Sequence, residues 1–515
     1  MSFFNTTAPL LPEILSLHGK WKASKKALIF EEETLTWQEL DAATNQIANG
    51  LIANDIGEGD MVGIIMKNGR QMVEALLGVM KAGAVSVPIN LSVSDTALFA
   101  MLTDAQISTL IATHDQIPRL QGYESQHFKM PPLFASSSPT DAFENFKYLN
   151  TKTKPVVNLS PESPFNVIYS SGTTGTPKGI LHTHQGRLGW AYDLSIALRY
   201  DGSARTLFTI GLYSNISWVG FLCTLLVGGT LIIQSSFDTK HTLETIQTKR
   251  VTNMSMVPIQ YQRLLEDPDH SKYDLSSLKA IMSCGSPLHA DLRKQLFDRL
   301  GPVVIELFGL TEGVITTLEP DEAPGRLESA GKPLVGTDIK IIDDNNQEAE
   351  TGISGEIVAS GRIIMPGYLG KPEATRQAIW TDTLGKNWLR TGDIGKLDEE
   401  GYLYIVDRKK DMIISGGQNI YPQDIEVTLL SHPNISEAAV IGIQSTKWGE
   451  TPLAVVVLKP NVVINAEDIK NWANKTLGKQ QRIADVKLVK ELPRNPNGKI
   501  LKKDLRELYK DLKVA

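Results

Sequence analysis

The sequence predicts an α/β protein with a large N-terminal domain of mixed, mostly parallel sheets and helices, a small β-barrel-like part, and a small α+β C-terminal domain. Three observations lead to this class. The 515 residues exceed the usual size of one domain several-fold, so at least two domains are expected. Strand and helix patterns alternate through most of the chain, and the alternation gives way to short strands and turns near Asp407. We therefore predict domains at residues 1–407 and 408–515.

The N-terminal part begins with a helix and a strand–helix–strand unit. Thr36 and Glu39 form a predicted capping box, and apolar residues then recur at helical spacing as far as Ile52. "MVGIIM" predicts a buried strand, "GRQMVEALLGVMKAG" a helix and "AVSVPIN" a second strand, which is the unit that builds parallel sheets. Further predicted strands are "NVIYS", "TLFTI", "TLIIQ", "NMSMVP", "KAIMSCG" and "VVIELFG".

The last part of the chain has a different pattern. "GEIVASG" and "GYLYIVD" predict short strands joined by turns. The charged run "DRKKD" follows, then the predicted strands "AAVIGI" and "LAVVVLK", a helix from Ala466 and the strand "VKLVKEL". This segment of roughly a hundred residues is long enough for a separate domain. The charged run is a candidate hinge.

Composition excludes several classes of protein. The formal net charge of −6 gives no reason to expect a nucleic-acid partner. Cys223 and Cys284 cannot build a disulfide framework, so they are expected to be small buried side chains in a cytoplasmic protein. The N-terminus lacks the pattern of a signal peptide, and the longest apolar stretch, Val219–Ile233, is too short and glycine-broken to cross a membrane.

The segment "YSSGTTGTPKG" predicts a phosphate-binding loop. Glycine and hydroxyl residues let the backbone wrap phosphate oxygens, and Lys178 adds a compact positive charge. A P-loop needs G-x-x-x-x-G-K-[ST], but counting from Gly172 this chain has Pro177 at the second glycine and Gly179 at the hydroxyl position. These mismatches oppose a P-loop phosphotransferase. A flexible surface loop is the other alternative, and it explains neither the preceding strand nor the lysine.

Five motifs occur in one order along the chain: "YSSGTTGTPKG", "FGLTEG", "WLRTGD", "YIVDRKKDMIISGGQNIYPQDIE" and "PRNPNGKILKKDLR". Together they resemble the core motifs of the adenylate-forming superfamily, in particular its AMP-forming acyl-CoA and aryl-CoA ligases. The resemblance extends from about Leu35 to Arg506. It implies that ATP activates a carboxylic acid to an acyl adenylate, that pyrophosphate leaves, and that coenzyme A then displaces AMP.

The resemblance also implies a set of nucleotide-binding residues in the large domain. Thr311 would contact the α-phosphate, Glu312 would hold Mg²⁺, and Phe308 would offer its ring to adenine, with Gly285 and Ser286 on the other side. The phosphate loop and its lysine would cradle the β- and γ-phosphates through Ser170, Ser171, Gly172, Thr173, Thr174, Gly175 and Lys178.

Further residues are implied for the ribose, the reaction and the domain motion. Asp393 would accept hydrogen bonds from the ribose hydroxyls, although in isolation it would be assigned to a turn, and Arg408 would reach the ribose. Lys499 would contact the substrate carboxylate and the α-phosphate during adenylation. Lys410 would be the hinge of a mobile C-terminal domain, whose rotation exchanges Lys499 for a coenzyme A tunnel. That tunnel would be lined by Gly416, Gly417 and Gln418.

Two segments are expected to form the acid pocket. Asn215 stands where amino-acid-activating relatives usually carry an aspartate, which disfavours an α-amino acid. Tyr213 fits an aromatic pocket position or a core tyrosine, and Trp218 and Val219 follow it. In the second segment, Leu307 occupies the position at which longer-chain relatives have glycine, so the pocket should be shorter. The residue at this position is not basic, so recognition of a second carboxylate is not expected. Gly309 is small and should leave the pocket unblocked. The expected substrate is a short-to-medium-chain or aromatic monocarboxylate.

Some alternatives remain open on sequence grounds. A carrier-protein phosphopantetheine could replace coenzyme A as the thiol, and homodimers are frequent in this superfamily. A non-catalytic protein of this fold is disfavoured because Glu312, Asp393 and Lys499 are all present. His182 and His184 lack further metal ligands, so we expect a structural or phosphate-side role for them.

Overall fold

The computed structural model describes residues 8–135, 141–170, 178–415, 418–478, 481–494 and 499–514. Backbone contacts divide the chain into two compact units. The first is Met1–Asp338 with Ser360–Ile379, and the second is Ile339–Ala359 with Trp380–Ala515. Residues 380–407 thus group with the C-terminal residues. The predicted boundary at 407/408 concerns a different property, namely which segments move together, and it remains a prediction.

The described residues contain α-helices and β-strands in the alternation that the sequence predicts. The helices are α1 (Leu11–Trp21), α2 (Trp37–Ala53), α3 (Arg70–Ala82), α4 (Asp95–Asp104), α5 (Ile117–Leu120), α6 (Ala142–Tyr148), α7 (His184–Ala197), α8 (Asn215–Val227), α9 (Thr239–Lys249), α10 (Pro258–Glu266), α11 (Ala290–Leu300), α12 (Pro372–Gln377), α13 (Pro422–Leu430), α14 (Ala466–Thr476) and α15 (Lys502–Leu508). The strands up to Pro333 are β1 (Lys26–Phe30), β2 (Glu33–Thr36), β3 (Met61–Ile65), β4 (Val85–Pro88), β5 (Thr109–Thr113), β6 (Leu133–Ala135), β7 (Pro164–Ser170), β8 (Lys178–Thr183), β9 (Arg205–Phe208), β10 (Thr230–Ile233), β11 (Asn253–Met256), β12 (Ala280–Ser283), β13 (Val304–Gly309), β14 (Ile315–Leu318) and β15 (Lys332–Pro333). The remaining strands are β16 (Thr337–Ile342), β17 (Gly355–Gly361), β18 (Gly367–Tyr368), β19 (Ile379–Thr381), β20 (Asn387–Leu397), β21 (Leu403–Arg408), β22 (Ile413–Ser415), β23 (Gln418–Ile420), β24 (Ile435–Ser445), β25 (Gly449–Leu458), β26 (Asp485–Val489) and β27 (Lys513–Val514).

Two mixed, mostly parallel sheets form the first unit. One has the strand order β15-β14-β13-β12-β11-β9-β10-β1-β2, and its pairs from β13 to β1 are all parallel. The other has the order β18-β8-β7-β4-β3-β5-β6, and in it β8 runs antiparallel to both of its neighbours, β7 and β18. Helices α2, α3 and α8 bury their apolar residues in a core shared with several of these strands. This arrangement confirms the predicted α/β class.

Two further sheets lie mainly in the second unit. Strands β16, β17, β20, β19 and β21 form a five-stranded sheet in which β20 runs antiparallel to β17 and to β21, and β-bulges interrupt both of these pairings. Bulges increase local twist, which curls a small sheet as the predicted barrel-like part requires. Strands β22 to β27 form a six-stranded sheet that packs with α13 and α14, the predicted α+β part.

Local signals account for the best predicted elements. The Thr36 hydroxyl accepts a hydrogen bond from the backbone N–H of Glu39, and the Glu39 carboxylate accepts one in return from the backbone of Thr36, so the capping box starts α2 as predicted.

Cys223 and Cys284 are buried and unlinked, as predicted. No helix in the described ranges is long and apolar enough to cross a membrane.

Candidate functional site

Several predicted site residues meet at one edge of the nine-stranded sheet. Strands β9, β11, β12 and β13 are adjacent and parallel, so their carboxyl ends lie at the same edge. Ligands of open α/β sheets bind at that edge. The predicted residues that stand at or just beyond the ends of β9, β12 and β13 are Tyr213, Asn215, Gly285, Ser286, Phe308, Gly309, Thr311 and Glu312.

At the end of β13, the residue predicted to contact adenine and the residues predicted to line the acid pocket lie on opposite faces of the strand. Leu307 and Gly309 share one face of the strand, and Phe308 occupies the other. Leu307 is 6% exposed and joins the main apolar core, whereas Phe308 is partly exposed. A Cβ atom at Gly309 would lie 2.8 Å from the Val314 carbonyl oxygen. The turn after β13 therefore needs a glycine there, whatever the substrate.

The turn after β13 positions the carboxylate of Glu312. Gly313 has a φ of 112°, and a Cβ atom there would lie 2.0 Å from the Ile363 carbonyl oxygen, so only glycine fits. The Glu312 carbonyl accepts a hydrogen bond of 2.8 Å from the Met365 N–H. The Tyr368 hydroxyl donates one of 3.0 Å to Glu312 Oε1. Burial and the Glu312 charge raise the pKa of Tyr368, so this tyrosine remains a donor at neutral pH.

Tyr368 also connects Glu312 to Lys178. The Lys178 ammonium lies 4.9 Å from the centroid of the Tyr368 ring, a cation–π geometry. The structure therefore brings two predicted catalytic residues to one tyrosine. Sequence reasoning missed Tyr368, because it is 56 positions away from Glu312 and outside the five motifs. An aromatic residue in the glycine-flanked turn "GYLG" was the only available signal.

The phosphate loop connects two antiparallel strands. Ser170 at the end of β7 pairs with Lys178 at the start of β8. A P-loop instead leads from a strand into a helix, so the connection adds a topological difference to the two sequence mismatches. The predicted loop residues Ser171, Gly172, Thr173, Thr174 and Gly175 lie outside the described residues, as do the side chain of Ser170 and the tunnel glycines Gly416 and Gly417.

His182 and His184 are buried beside aromatic rings. The ring of His184 packs edge-on to Phe165, and that of His182 packs edge-on to Trp190. Burial lowers the pKa of His184 to about 4 and that of His182 well below its usual value, so both rings are neutral at neutral pH. Across the part of the chain that the structure describes, no three His, Cys, Asp or Glu side chains form a metal-binding group.

The second predicted cluster surrounds Asp393 in the second unit. Asp393 on β20 pairs with Arg408 on β21, and the Arg408 Nε atom lies 3.3 Å from Asp393 Oδ1. Asp393 is 3% exposed, and its Oδ2 atom has no hydrogen-bond partner among the described residues. Burial raises its pKa, although Arg408, Lys499 and Lys410 each act to lower it. The structure therefore brings these four predicted residues together.

Lys499 is buried near two other cations of the predicted site, Arg408 and Lys410. Burial lowers its pKa to about 7, and repulsion from Arg408 lowers it more than attraction to Asp393 raises it. Asp411, which also attracts Lys499, pairs with Arg506 at 2.5 Å. An additional anion would relieve the repulsion, because an opposite charge favours the protonated amine.

Lys410 lies in a turn between the residues of one small apolar cluster, which precede it, and those of two larger clusters, which follow it. The turn is closed by a 2.9 Å hydrogen bond from the Asp411 N–H to the Arg408 carbonyl. The two main apolar clusters of the six-stranded sheet contain only residues after Lys410, and the small cluster around Trp380 and Trp388 contains only residues before it. Beyond the turn, Gln418 starts β23 and is exposed.

Two of the four predicted acid-pocket residues after β9, Trp218 and Val219, are more deeply buried than expected for a pocket wall, whereas Tyr213 and Asn215 are partly exposed. Trp218 and Val219 on α8 belong to the main core, and the Trp218 ring packs edge-on to Phe165. The Trp218 indole N–H and Asn215 Oδ1 are buried without partners among the residues described. The Tyr213 ring lies over Gly211, where a Cβ atom would come within 2.0 Å of it.

Comparisons with known proteins match almost the whole chain. Residues 18–369 match the AMP-binding enzyme family, and residues 424–499 match the AMP-binding enzyme C-terminal domain. A feruloyl-CoA synthase from Amycolatopsis sp. is 33% identical over 92% of this chain and 94% of its own length. The long-chain-fatty-acid–CoA ligase FadD13 of Mycobacterium tuberculosis is 32% identical, over 92% and 93%.

A solved structure gives the same result for the fold. The o-succinylbenzoate CoA synthetase of Bacillus subtilis, in complex with its acyl-adenylate intermediate, superposes with a TM-score of 0.85 at 29% identity. The match covers 96% of this chain and 97% of that one.

Proposed function

The chain belongs to the AMP-binding enzyme family, and from this premise we propose how its residues carry out the family's two reactions. It is an acid–CoA ligase that uses ATP. In the first reaction a carboxylate oxygen attacks the α-phosphorus of ATP, and pyrophosphate leaves. In the second, the thiol of coenzyme A attacks the acyl carbon of the adenylate, and AMP leaves.

The cluster around Glu312 would bind the phosphates. Lys178 supplies positive charge to the β- and γ-phosphates with the loop before it, and Thr311 contacts the α-phosphate. Glu312 provides the carboxylate for Mg²⁺, a hard cation that proteins usually hold by one or two carboxylates together with substrate phosphates. The single carboxylate held by Tyr368 fits this donor set. When bound, the ion neutralises phosphate charge.

The cluster around Asp393 would bind the ribose and stabilise the reacting carboxylate. The observation that carries this assignment is the buried, unpartnered Oδ2 of Asp393, because a buried acceptor requires a donor and the two ribose hydroxyls can supply it. Arg408 holds the other carboxylate oxygen and reaches the ribose. Lys499 supplies positive charge where two anions must approach each other, which is the costliest part of the first reaction.

We assign the acid to the aromatic or short-to-medium-chain class. Leu307 and Gly309 share one face of β13 at the carboxyl edge of the sheet, and the leucine side chain reduces the space there. The relatives named above act on an aromatic and on a long-chain acid. The test is pyrophosphate release with ATP and coenzyme A across a panel of aromatic and straight-chain acids. Release with the aromatic or shorter acids supports the assignment, and a maximum at long chains contradicts it.

Leu307→Gly is expected to shift the preference towards longer or bulkier acids. The change opens space for about four methylene-sized groups, and each extra buried methylene contributes roughly 0.8 kcal/mol, or about fourfold in specificity. Part of this gain is offset by the conformational freedom of glycine in a strand. The measurement is kcat/KM across a ladder of straight-chain and aromatic acids.

The control for this change is Leu77→Ala. Leu77 lies on α3 in the same apolar core, so its truncation tests general destabilisation without touching β13. The control is expected to lower all activities together and leave the optimum acid unchanged. If Leu307→Gly behaves in the same way, Leu307 does not bound the pocket.

Three finer assignments complete the proposal. A carrier-protein phosphopantetheine is the alternative thiol, and competition between coenzyme A and a carrier protein separates the two acceptors. We also assign the protein to the cytoplasm, as its two unlinked cysteines favour. A homodimer is the proposed assembly, and sedimentation equilibrium tests it.

A further inference from the structure

One arginine of the first unit is fully buried without a carboxylate. Arg187 on α7 has 0% exposure. Its Nε atom donates a hydrogen bond of 3.1 Å to Asn166 Oδ1 on β7. The centre of its guanidinium lies 4.9 Å from the Trp190 ring centroid and 5.6 Å from that of Trp218. Among the described residues, two tryptophan rings and one neutral amide oxygen contact the guanidinium, and His182 is close enough to interact with its charge.

The positive charge of Arg187 is not balanced by the protein. Its two terminal nitrogens have no hydrogen-bond partner within the described ranges. The undescribed residues contain no aspartate or glutamate, so no side-chain carboxylate can come from them. Burial lowers the pKa of Arg187 to about 9, which leaves it charged at neutral pH. The buried Arg293 differs in this respect, because it pairs with Glu306.

The side chains beside Arg187 also lack acceptors. The Asn166 Nδ2 atom and the Trp218 indole N–H are buried donors without partners among the described residues. His182 and His184 are neutral, so they add no charge. We call Asn166, Arg187 and Trp218 the buried donor cluster. Buried donors of this kind require an acceptor, and a buried cation requires an anion.

The buried donor cluster adjoins the segment assigned to the acid. Trp218 lies one turn after Asn215 on α8, and this helix follows the carboxyl end of β9. We propose that the buried donor cluster binds a second carboxylate, at the end of the acid opposite the reacting one. The substrate is then an aromatic or short-chain dicarboxylic acid. This inference rests on the proposed function, and it replaces the expected monocarboxylate, which was based only on the absence of a basic residue at position 307.

The test compares acids in matched pairs that differ only by a second carboxylate, such as benzoate with its dicarboxylic analogues and straight chains with one or two acid groups. The wild type is expected to favour the diacid of at least one pair by about tenfold or more in kcat/KM. Arg187→Leu should remove that preference, so that its ratio of diacid to monoacid kcat/KM falls to one or below, and Arg187→Lys should keep part of it. The exposed Arg263→Leu on α10 is the matched control and should keep the wild-type ratio.

Other outcomes overturn the inference. A wild type that favours the monoacid in every pair contradicts it, as does an unchanged ratio in Arg187→Leu. Stabilisation by chloride that requires Arg187, with no diacid preference, would assign the cluster to an inorganic anion instead. Should Arg187→Leu fail to fold, Trp218→Phe removes one donor while keeping a ring, and it must lower the diacid ratio. If none of the acids supports pyrophosphate release, the proposed function itself is contradicted. That outcome is distinct from a lost preference for diacids.

Discussion

Lys499→Ala is expected to lower the rate of acyl-adenylate formation by about a hundredfold or more, because a positive charge at developing negative charge contributes on this order. Thioester formation from supplied acyl adenylate should remain largely intact, since that reaction no longer needs the contact at the α-phosphate. The measurement follows each half-reaction separately. Pyrophosphate release reports the first, and coenzyme A consumption with synthetic acyl adenylate reports the second.

Two further variants serve as controls for Lys499. Lys490→Ala removes an exposed lysine of the same unit and should leave both half-reactions unchanged. Lys499→Arg retains the charge and should keep part of the adenylation rate. Equal losses in both half-reactions of Lys499→Ala would show that Lys499 supports the fold or the whole site rather than adenylation.

Lys410→Pro is expected to preserve adenylation and to abolish thioester formation. Proline fixes φ near −65°, so it prevents the backbone rotation that the second reaction is proposed to need. The separate apolar cores before and after Lys410 favour a pivot at this turn. The polar contact between Asp407 and the Gln423 backbone spans the turn and would have to break. The same two half-reaction assays measure the effect.

Lys410→Ala is the matched control, because it removes the side chain and leaves φ free. It should form acyl-CoA at close to the wild-type rate. A Lys410→Pro variant that makes acyl-CoA as fast as the wild type would place the pivot elsewhere or remove the need for one.

The sequence predicts most clearly the features that depend on local contacts. The capping box of Thr36 and Glu39 satisfies backbone groups within one turn, so four residues suffice to predict the start of α2. Short buried runs predict five strands of the nine-stranded sheet, β9 to β13, and their parallel order in the structure brings the motifs after β12 and β13 to one edge. The predicted capping box and these five predicted strands agree with the structure.

Features that depend on long-range packing could not be predicted in this way. Tyr368 reaches Glu312 and Lys178 only because β18 pairs with β8, and no local pattern encodes that pairing. Arg187 stands among apolar residues of α7, where a single arginine is normally expected to face solvent. Its burial between two tryptophan rings became visible only in the folded chain.

The central claim is that this chain forms an acyl adenylate and passes the acyl group to coenzyme A. The most direct measurement is the identity and stoichiometry of the products formed from ATP, the best acid of the panel and coenzyme A. The account predicts one AMP, one pyrophosphate and one acyl-CoA for each ATP consumed, with acyl adenylate accumulating on the enzyme when coenzyme A is left out. ADP and orthophosphate as the products, with no acyl adenylate, would contradict it.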